Sequence, residues 1–196
     1  MLSRGRTGSF LEAELSLEGV ADGGQRRARL EQRFRVTNTQ DERIWGELVV
    51  ADDQTRGPLA WSLQSGHFSG AKAAPGLLTW QGSATMSPLG LRVDGRVARP
   101  QGVATMCAWS PLFGLPGLVG HRAPVGPITF YDEALMQHEG VVLRPLSRAP
   151  ILPWGPAAAL WMIEAPSMPP RLLFLSAEGE LLVQVSIGRA LVAEAT

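Results

Sequence analysis

Apolar side chains recur at every second position along much of this 196-residue chain, and no other feature limits its fold so tightly. A period of two belongs to an extended strand with one face buried. From Phe10 to Val20, Leu11, Ala13, Leu15 and Leu17 fall on one side while Glu12, Glu14, Ser16 and Glu18 fall on the other. After Ala21-Asp22-Gly23-Gly24-Gln25 the pattern resumes, with Ala28, Leu30, Phe34 and Val36 set against Arg27, Arg29, Glu31, Arg33 and Arg35. Two such runs across a glycine turn predict a β-hairpin whose outer face is acidic on one strand and basic on the other. Opposite charges would meet across the pair, each pair contributing ~0.2–1 kcal/mol and helping to set the register.

Further alternating runs cover Ile44–Val50, Leu59–Ser65, Leu78–Met86, Leu89–Val97 and Val103–Trp109. Ala158–Glu164, Arg171–Ser176 and Leu181–Ile187 follow near the C-terminus, the last two separated by the turn Ala177-Glu178-Gly179-Glu180. Short strands with turn signals roughly every 8–12 residues predict an antiparallel all-β chain rather than alternating strand–helix units. The reading is a single β-rich domain over residues 1–196, built of roughly eight to ten strands as one barrel or a two-sheet sandwich. One short helix is expected near 132–139, where Asp132 supplies a cap, Glu133 to Gln137 are good helix formers and Gly140 supplies a stop. A competing reading of the same stretch pairs Leu135–His138 with Val141–Arg144 around Glu139-Gly140.

Composition removes several alternatives. Glycine (22) and proline (15) together are about a fifth of the chain, too many for a helix bundle, while 45% apolar residues are too many for a disordered chain. Eighteen basic residues balance eighteen acidic ones, which argues against a general polyanion binder and so against nucleic acid as a partner. Arg26, Arg27, Arg29, Arg33 and Arg35 read more simply as a solvated, charge-paired sheet face, because no exposed aromatics interleave with them to stack bases. The skew of 17 arginines to one lysine, Lys72, reflects a GC-rich genome. A lone Cys107 suits a reducing cytoplasm, and no apolar run approaches the ~20 residues of a membrane span. A soluble cytoplasmic chain is therefore expected.

Two segments break the strand rhythm. Residues 110–127 carry four glycines and four prolines among apolar side chains, and residues 145–156 are equally apolar and proline-rich. Long apolar loops commonly serve as lids, binding loops or partner contacts.

Searches for chemical motifs are mostly negative. Gly66-His67-Phe68-Ser69-Gly70 places phenylalanine where a nucleophile elbow needs serine, and Gly66 to Lys72 lacks the spacing of a phosphate-binding loop. His67, His121 and His138 are far apart and no Cys-x-x-Cys exists, so neither a metal nor another cofactor is expected. The densest titratable cluster is Tyr131-Asp132-Glu133 with His138-Glu139, adjoining the loop that carries His121 and Arg122. Tyr131, Asp132, His138 and His121 are the candidate acid–base residues, provided that a pocket desolvates them. Six tryptophans are many for this length; Trp61, Trp80 and Trp109 lie on predicted strands and suit either the core or the wall of a ligand cavity.

These features support three functional readings. The first is binding of a hydrophobic small molecule inside a β-barrel beneath the two apolar loops, with Trp61, Trp80, Trp109, Arg122 and Phe113 as ligand contacts. Its architecture is similar to that of lipocalin-like barrels, although the Gly-x-Trp signature of a first lipocalin strand is absent. The second is a cyclase- or isomerase-type biosynthetic enzyme built on such a barrel. The third is a β-sandwich that docks a partner, a homo-oligomer through the apolar loops included.

Overall fold

The computed structural model describes residues 11–21, 23–35, 40–53, 55–69, 75–87, 89–100, 104–133, 136–147, 151–152, 155–186 and 189–192. Phe10, Val36, Val103, Ala134, Leu135, Trp154 and Ile187 lie outside these residues, as does the side chain of Trp80. The chain is all-β, with 65% of it in strands, two sheets, and one of the sheets curled as a half-barrel. Sixteen strands are described, more than the spacing suggests, partly because the 89–97 run is two strands and part of the 145–156 segment pairs. No helix among the described residues is long and apolar enough to cross a membrane. The chain divides into two compact units, one of residues 1–50, 59–102 and 194–196, the other of residues 51–58 and 103–193.

The first unit is a seven-stranded sheet in sequential order: β1 (Leu11–Ala21), β2 (Gln25–Arg35), β3 (Gln40–Ala51), β4 (Pro58–Ser69), β5 (Pro75–Ser87), β6 (Gly90–Val93) and β7 (Arg96–Pro100). Alternation accounts for its burial. Ala28, Leu30 and Gln32 on β2 are buried while Arg27, Arg29 and Glu31 are exposed. Ile44, Leu48 and Val50 on β3, and Trp61 and Leu63 on β4, are buried in the same way. The β1–β2 register sets Glu12 opposite Arg33 and Glu18 opposite Arg27, the expected charge complement, but it also sets Glu14 opposite Glu31. The run Leu89–Val97 is not one strand: Asp94-Gly95, with φ of 47° and 80°, turns the chain between β6 and β7. Positive φ at both central residues is what a tight two-residue hairpin demands, and Asp-Gly supplies it. Asp94 Oδ1 further accepts the Ser83 N–H at 2.9 Å, tying this turn to β5.

The second unit is also seven-stranded, in the order β16-β15-β14-β13-β10-β9-β8. Its strands are β8 (Thr105–Cys107), β9 (Val125–Tyr131), β10 (Gln137–Pro145), β13 (Ala159–Ala165), β14 (Met168–Leu175), β15 (Leu181–Ser186) and β16 (Arg189–Val192). A two-residue pair, β11 (Ile151–Leu152) and β12 (Gly155–Pro156), lies within the second proline-rich segment. β8 and β9 run parallel, whereas the other described pairs in this sheet are antiparallel. Parallel neighbours need a crossover of about a dozen residues or more. The first part of the 110–127 segment is that crossover, wound into 3₁₀ turns at Ser110–Phe113 and Pro116–Leu118 with proline at the start of each. Phe113, Leu115 and Leu118 along it are buried, so its apolar composition serves the core of this unit. The turn read at Ala177–Glu180 joins β14 to β15, and Leu115 N–H donates to the Gly179 carbonyl at 2.7 Å.

The helix expected near 132–139 does not form. Gln137, His138 and Glu139 open β10, and Asp132 Oδ1 accepts the Met136 N–H at 2.9 Å across the turn from β9. Nor does the chain reverse at Glu139-Gly140; β10 runs through, with Gly140 at φ 65° and a shift of register between His138 and Val141. Long-range pairing with β9 and β13, favoured by Val141 and Val142, overrides a local helix preference of a few tenths of a kcal/mol per residue.

Gly46 gives a tight approach between β3 and β4. It sits at φ 143°, and a Cβ there would overlap the Ser62 carbonyl oxygen and come within 3.0 Å of Leu63 Cα. Gly46→Ala is expected to destabilise the protein by about 2–4 kcal/mol, through backbone strain and overpacking together. Urea denaturation followed by tryptophan fluorescence measures this, and an unchanged midpoint would show that β3 and β4 do not meet so closely.

Candidate functional site

Two adjacent carboxylates organise one end of the second unit. Asp132 and Glu133 follow β9, and each reaches a different strand partner. Asp132 Oδ2 lies 3.2 Å from His138 Nε2, and the other ring nitrogen of His138, Nδ1, lies 3.1 Å from the Ser167 hydroxyl. Ser167 stands in the two-residue turn that joins β13 to β14, where Ala165 pairs with Met168. Glu133 takes both terminal nitrogens of Arg171, at 2.5 and 2.7 Å, in a bidentate pair. The Arg171 guanidinium also covers the Phe130 ring, 5.2 Å from its centroid. Its side chain is only 10% exposed, so the charge is tolerable there because both donors and the ring face are matched.

Of the four acid–base candidates, the fold brings two into contact, Asp132 and His138. Tyr131 is buried at 1% exposure, and its hydroxyl donates to Gln137 Oε1 at 3.4 Å. His121 is exposed and stacks on Trp161, with centroids 6.0 Å apart and rings 22° from parallel. Among the ligand-contact candidates, Trp61, Trp109 and Phe113 are core residues at 3%, 2% and 3% exposure, and Arg122 is exposed. Trp80 lies in β5, its side chain outside the described set. Among the described residues no three His, Cys, Asp or Glu side chains gather as metal ligands. Ser167 and Arg171 escaped the sequence reading because a serine in a Pro-Ser turn and an arginine in an alternating strand carry no distinguishing spacing.

A second feature lies on the first unit. A groove of about 540 Å³ runs over the outer face of β2 and β3, lined by Arg29, Leu30, Glu31, Arg43, Trp45, Gly46 and Glu47. Alternation places it there: Ile44 and Leu48 face the core, so Arg43, Trp45 and Glu47 face the other way. Arg43 and Glu31 approach to 3.9 Å across the two strands. The lining thus holds two cations and two anions around one indole.

A buried polar cluster also holds the 51–58 loop. Arg56, at 2% exposure and φ 51°, donates from Nε to the Gly114 carbonyl at 2.9 Å and pairs with Asp52. Asp53 Oδ1 shapes the loop by accepting from Thr55 N–H, the Thr55 hydroxyl and Gly57 N–H. Ser110 Oγ donates to the Arg56 carbonyl at 2.7 Å and accepts from the Cys107 N–H at 2.9 Å. Since the one hydroxyl proton goes to Arg56, the Cys107 thiol, 3.3 Å away, is the donor in its contact with Ser110. Burial pushes the Cys107 thiol above its ordinary value of 9.0, consistent with a neutral core thiol rather than a nucleophile.

Two measurements test these assignments. Glu133→Leu leaves the Arg171 guanidinium without its counter-charge and is expected to cost about 2–4 kcal/mol, whereas adding Arg171→Met recovers most of that. A double-mutant cycle in urea decides it, and additive losses would remove the clamp. Because the folded protein keeps Cys107 neutral to higher pH than the unfolded chain does, its contribution is whole below pH 9.0 and falls as pH rises beyond it. Above pH 9.0 the wild type is expected to lose stability faster with rising pH than Cys107→Ala does. Parallel slopes would contradict the buried neutral thiol.

No family model, no curated protein and no solved structure matches this chain, so the chemistry of its sites rests on their own geometry.

Proposed function

We propose that the protein binds a small, planar molecule, neutral or zwitterionic, in the groove over β2 and β3. The observation that carries this reading is the groove itself. Its volume of about 540 Å³ falls within the roughly 300–1,000 Å³ of small-molecule sites, and it combines an indole wall with a few polar groups. Trp45 supplies the apolar face on which a flat ring stacks, while Arg29 and Arg43 offer donors and Glu31 and Glu47 acceptors. Two arginines and two glutamates sum to no net charge, which disfavours polyanions and polycations and favours a ligand whose own charges cancel. An interior cavity of lipocalin-like type has less in its support, since Trp61 and Trp109 are packed as core residues.

Tryptophan fluorescence against a panel of flat aromatic zwitterions and neutral heterocycles tests the proposal. At least one compound is expected to quench or shift the wild-type emission, and Trp45→Ala is expected to weaken its binding by about 5- to 30-fold, the loss of a stacked ring being worth about 1–2 kcal/mol. The reading fails if no compound perturbs the component of the emission that Trp45→Phe removes. It fails equally if Trp45→Ala binds every active compound as the wild type does.

A further inference from the structure

We propose that Ser167, His138 and Asp132 form a nucleophilic acyl-transfer site that cleaves small activated esters, an activity separate from ligand binding on the first unit. The three side chains make one directional hydrogen-bonded chain. A carboxylate only accepts hydrogen bonds, so the imidazole tautomer that satisfies both contacts carries its ring proton on Nε2, 3.2 Å from Asp132 Oδ2. Nδ1 then carries a lone pair, and the Ser167 hydroxyl, 3.1 Å away, donates to it. A hydroxyl aimed at an imidazole that a carboxylate orients is the arrangement by which a serine is activated as a nucleophile. The usual roles of the two ring nitrogens are exchanged here, but each nitrogen keeps the partner its role requires.

The serine is open to solvent while the pair behind it is partly buried. Ser167 is exposed in the β13–β14 turn, where an ester can reach it, while the His138 side chain is 12% and that of Asp132 21% exposed. The orientation does not depend on Ser167. Asp132 is held through its second oxygen by the Met136 N–H at 2.9 Å, and its neighbour Glu133 is clamped to Arg171 on β14, four residues beyond Ser167. Such independent support preorganises a site.

In the reaction, Ser167 Oγ attacks the ester carbonyl carbon as its proton moves to His138 Nδ1. The carbon–oxygen bond to the alcohol then breaks, and the departing oxygen takes the proton back from Nδ1, leaving an acyl group on Ser167. Water repeats the sequence on the acyl-serine, so one ester and one water become one acid and one alcohol. Asp132 is a positioning residue, acting through the ring. A surface turn gives little grip on a large acyl chain, which points to short acyl groups with good leaving groups.

The test is reaction of the full chain with p-nitrophenyl acetate, followed by peptide mapping of the acetylated protein. Acetyl on Ser167 with release of p-nitrophenol is expected, and Ser167→Ala is expected to abolish both. His138→Gln is expected to slow acylation by about 10²–10⁴-fold. Asp132→Asn retains the oxygen that accepts the Met136 N–H; it is expected to lower the saturating acylation rate while leaving the half-saturating ester concentration unchanged, with an unaltered melting curve. Acetyl confined to Lys72 or the N-terminus, or equal acylation of Ser167 in wild type and His138→Gln, would overturn the proposal. Mapping of the wild type decides the matter even if a variant fails to fold. Failure here leaves the Trp45 groove untouched, because no groove residue takes part.

Discussion

A guanidinium inside an apolar sheet is stable only against a matched carboxylate, and the geometry at the end of β9 follows from how Arg171 meets that condition. Its two terminal nitrogens take both oxygens of Glu133 and its flat face covers Phe130. Desolvation of such a pair is costly, so it persists where both partners are fully engaged. Because Glu133 is committed to β14, the backbone next to it is committed too, and Asp132 is presented to His138 rather than to solvent. The Glu133–Arg171 ion pair thus fixes the carboxylate next to the one that meets His138.

The same logic, a polar group buried only when saturated, recurs in the 51–58 loop. Within the second unit Arg56 has its Nε on the Gly114 carbonyl, its guanidinium on Asp52 and its own carbonyl on Ser110. Ser110 in turn receives Cys107, so one hydroxyl ties the loop, β8 and the first 3₁₀ turn of the crossover together. Gly57 allows that packing, since a Cβ there would sit 2.9 Å from both the carbonyl and the hydroxyl oxygen of Thr105. The parallel β8–β9 pair needs a long crossover, and this cluster is what holds the crossover against the sheet.

The two candidate sites draw on different physics. The groove over β2 and β3 owes its character to strand alternation, which puts Arg29, Glu31, Arg43, Trp45 and Glu47 on the face away from Leu30, Ile44 and Leu48. It was half visible from sequence: the charge stripe of β2 was legible, but the approach of β3 that adds Trp45 to it was not. The Asp132 cluster was likewise half visible. Asp132 and His138 stood out as neighbouring titratable residues, while the hydroxyl that completes their chain comes from residue 167.

The sequence by itself determined the all-β class, the buried faces of β2, β3 and β4, and the turns at Gly23-Gly24 and Ala177–Glu180, because alternation and glycine placement act over a few residues and leave a periodic trace. It also located the two proline-rich segments, though not that the first is a crossover packed into a core. Only the tertiary structure decided the split of the 89–100 region at Asp94-Gly95, the loss of the helix at 132–139, and the partners of Ser167, Arg171, Arg56 and Trp45. Those outcomes depend on which strands pair and in what register. Pairing is fixed by contacts between residues tens of positions apart, and such contacts have no period to read.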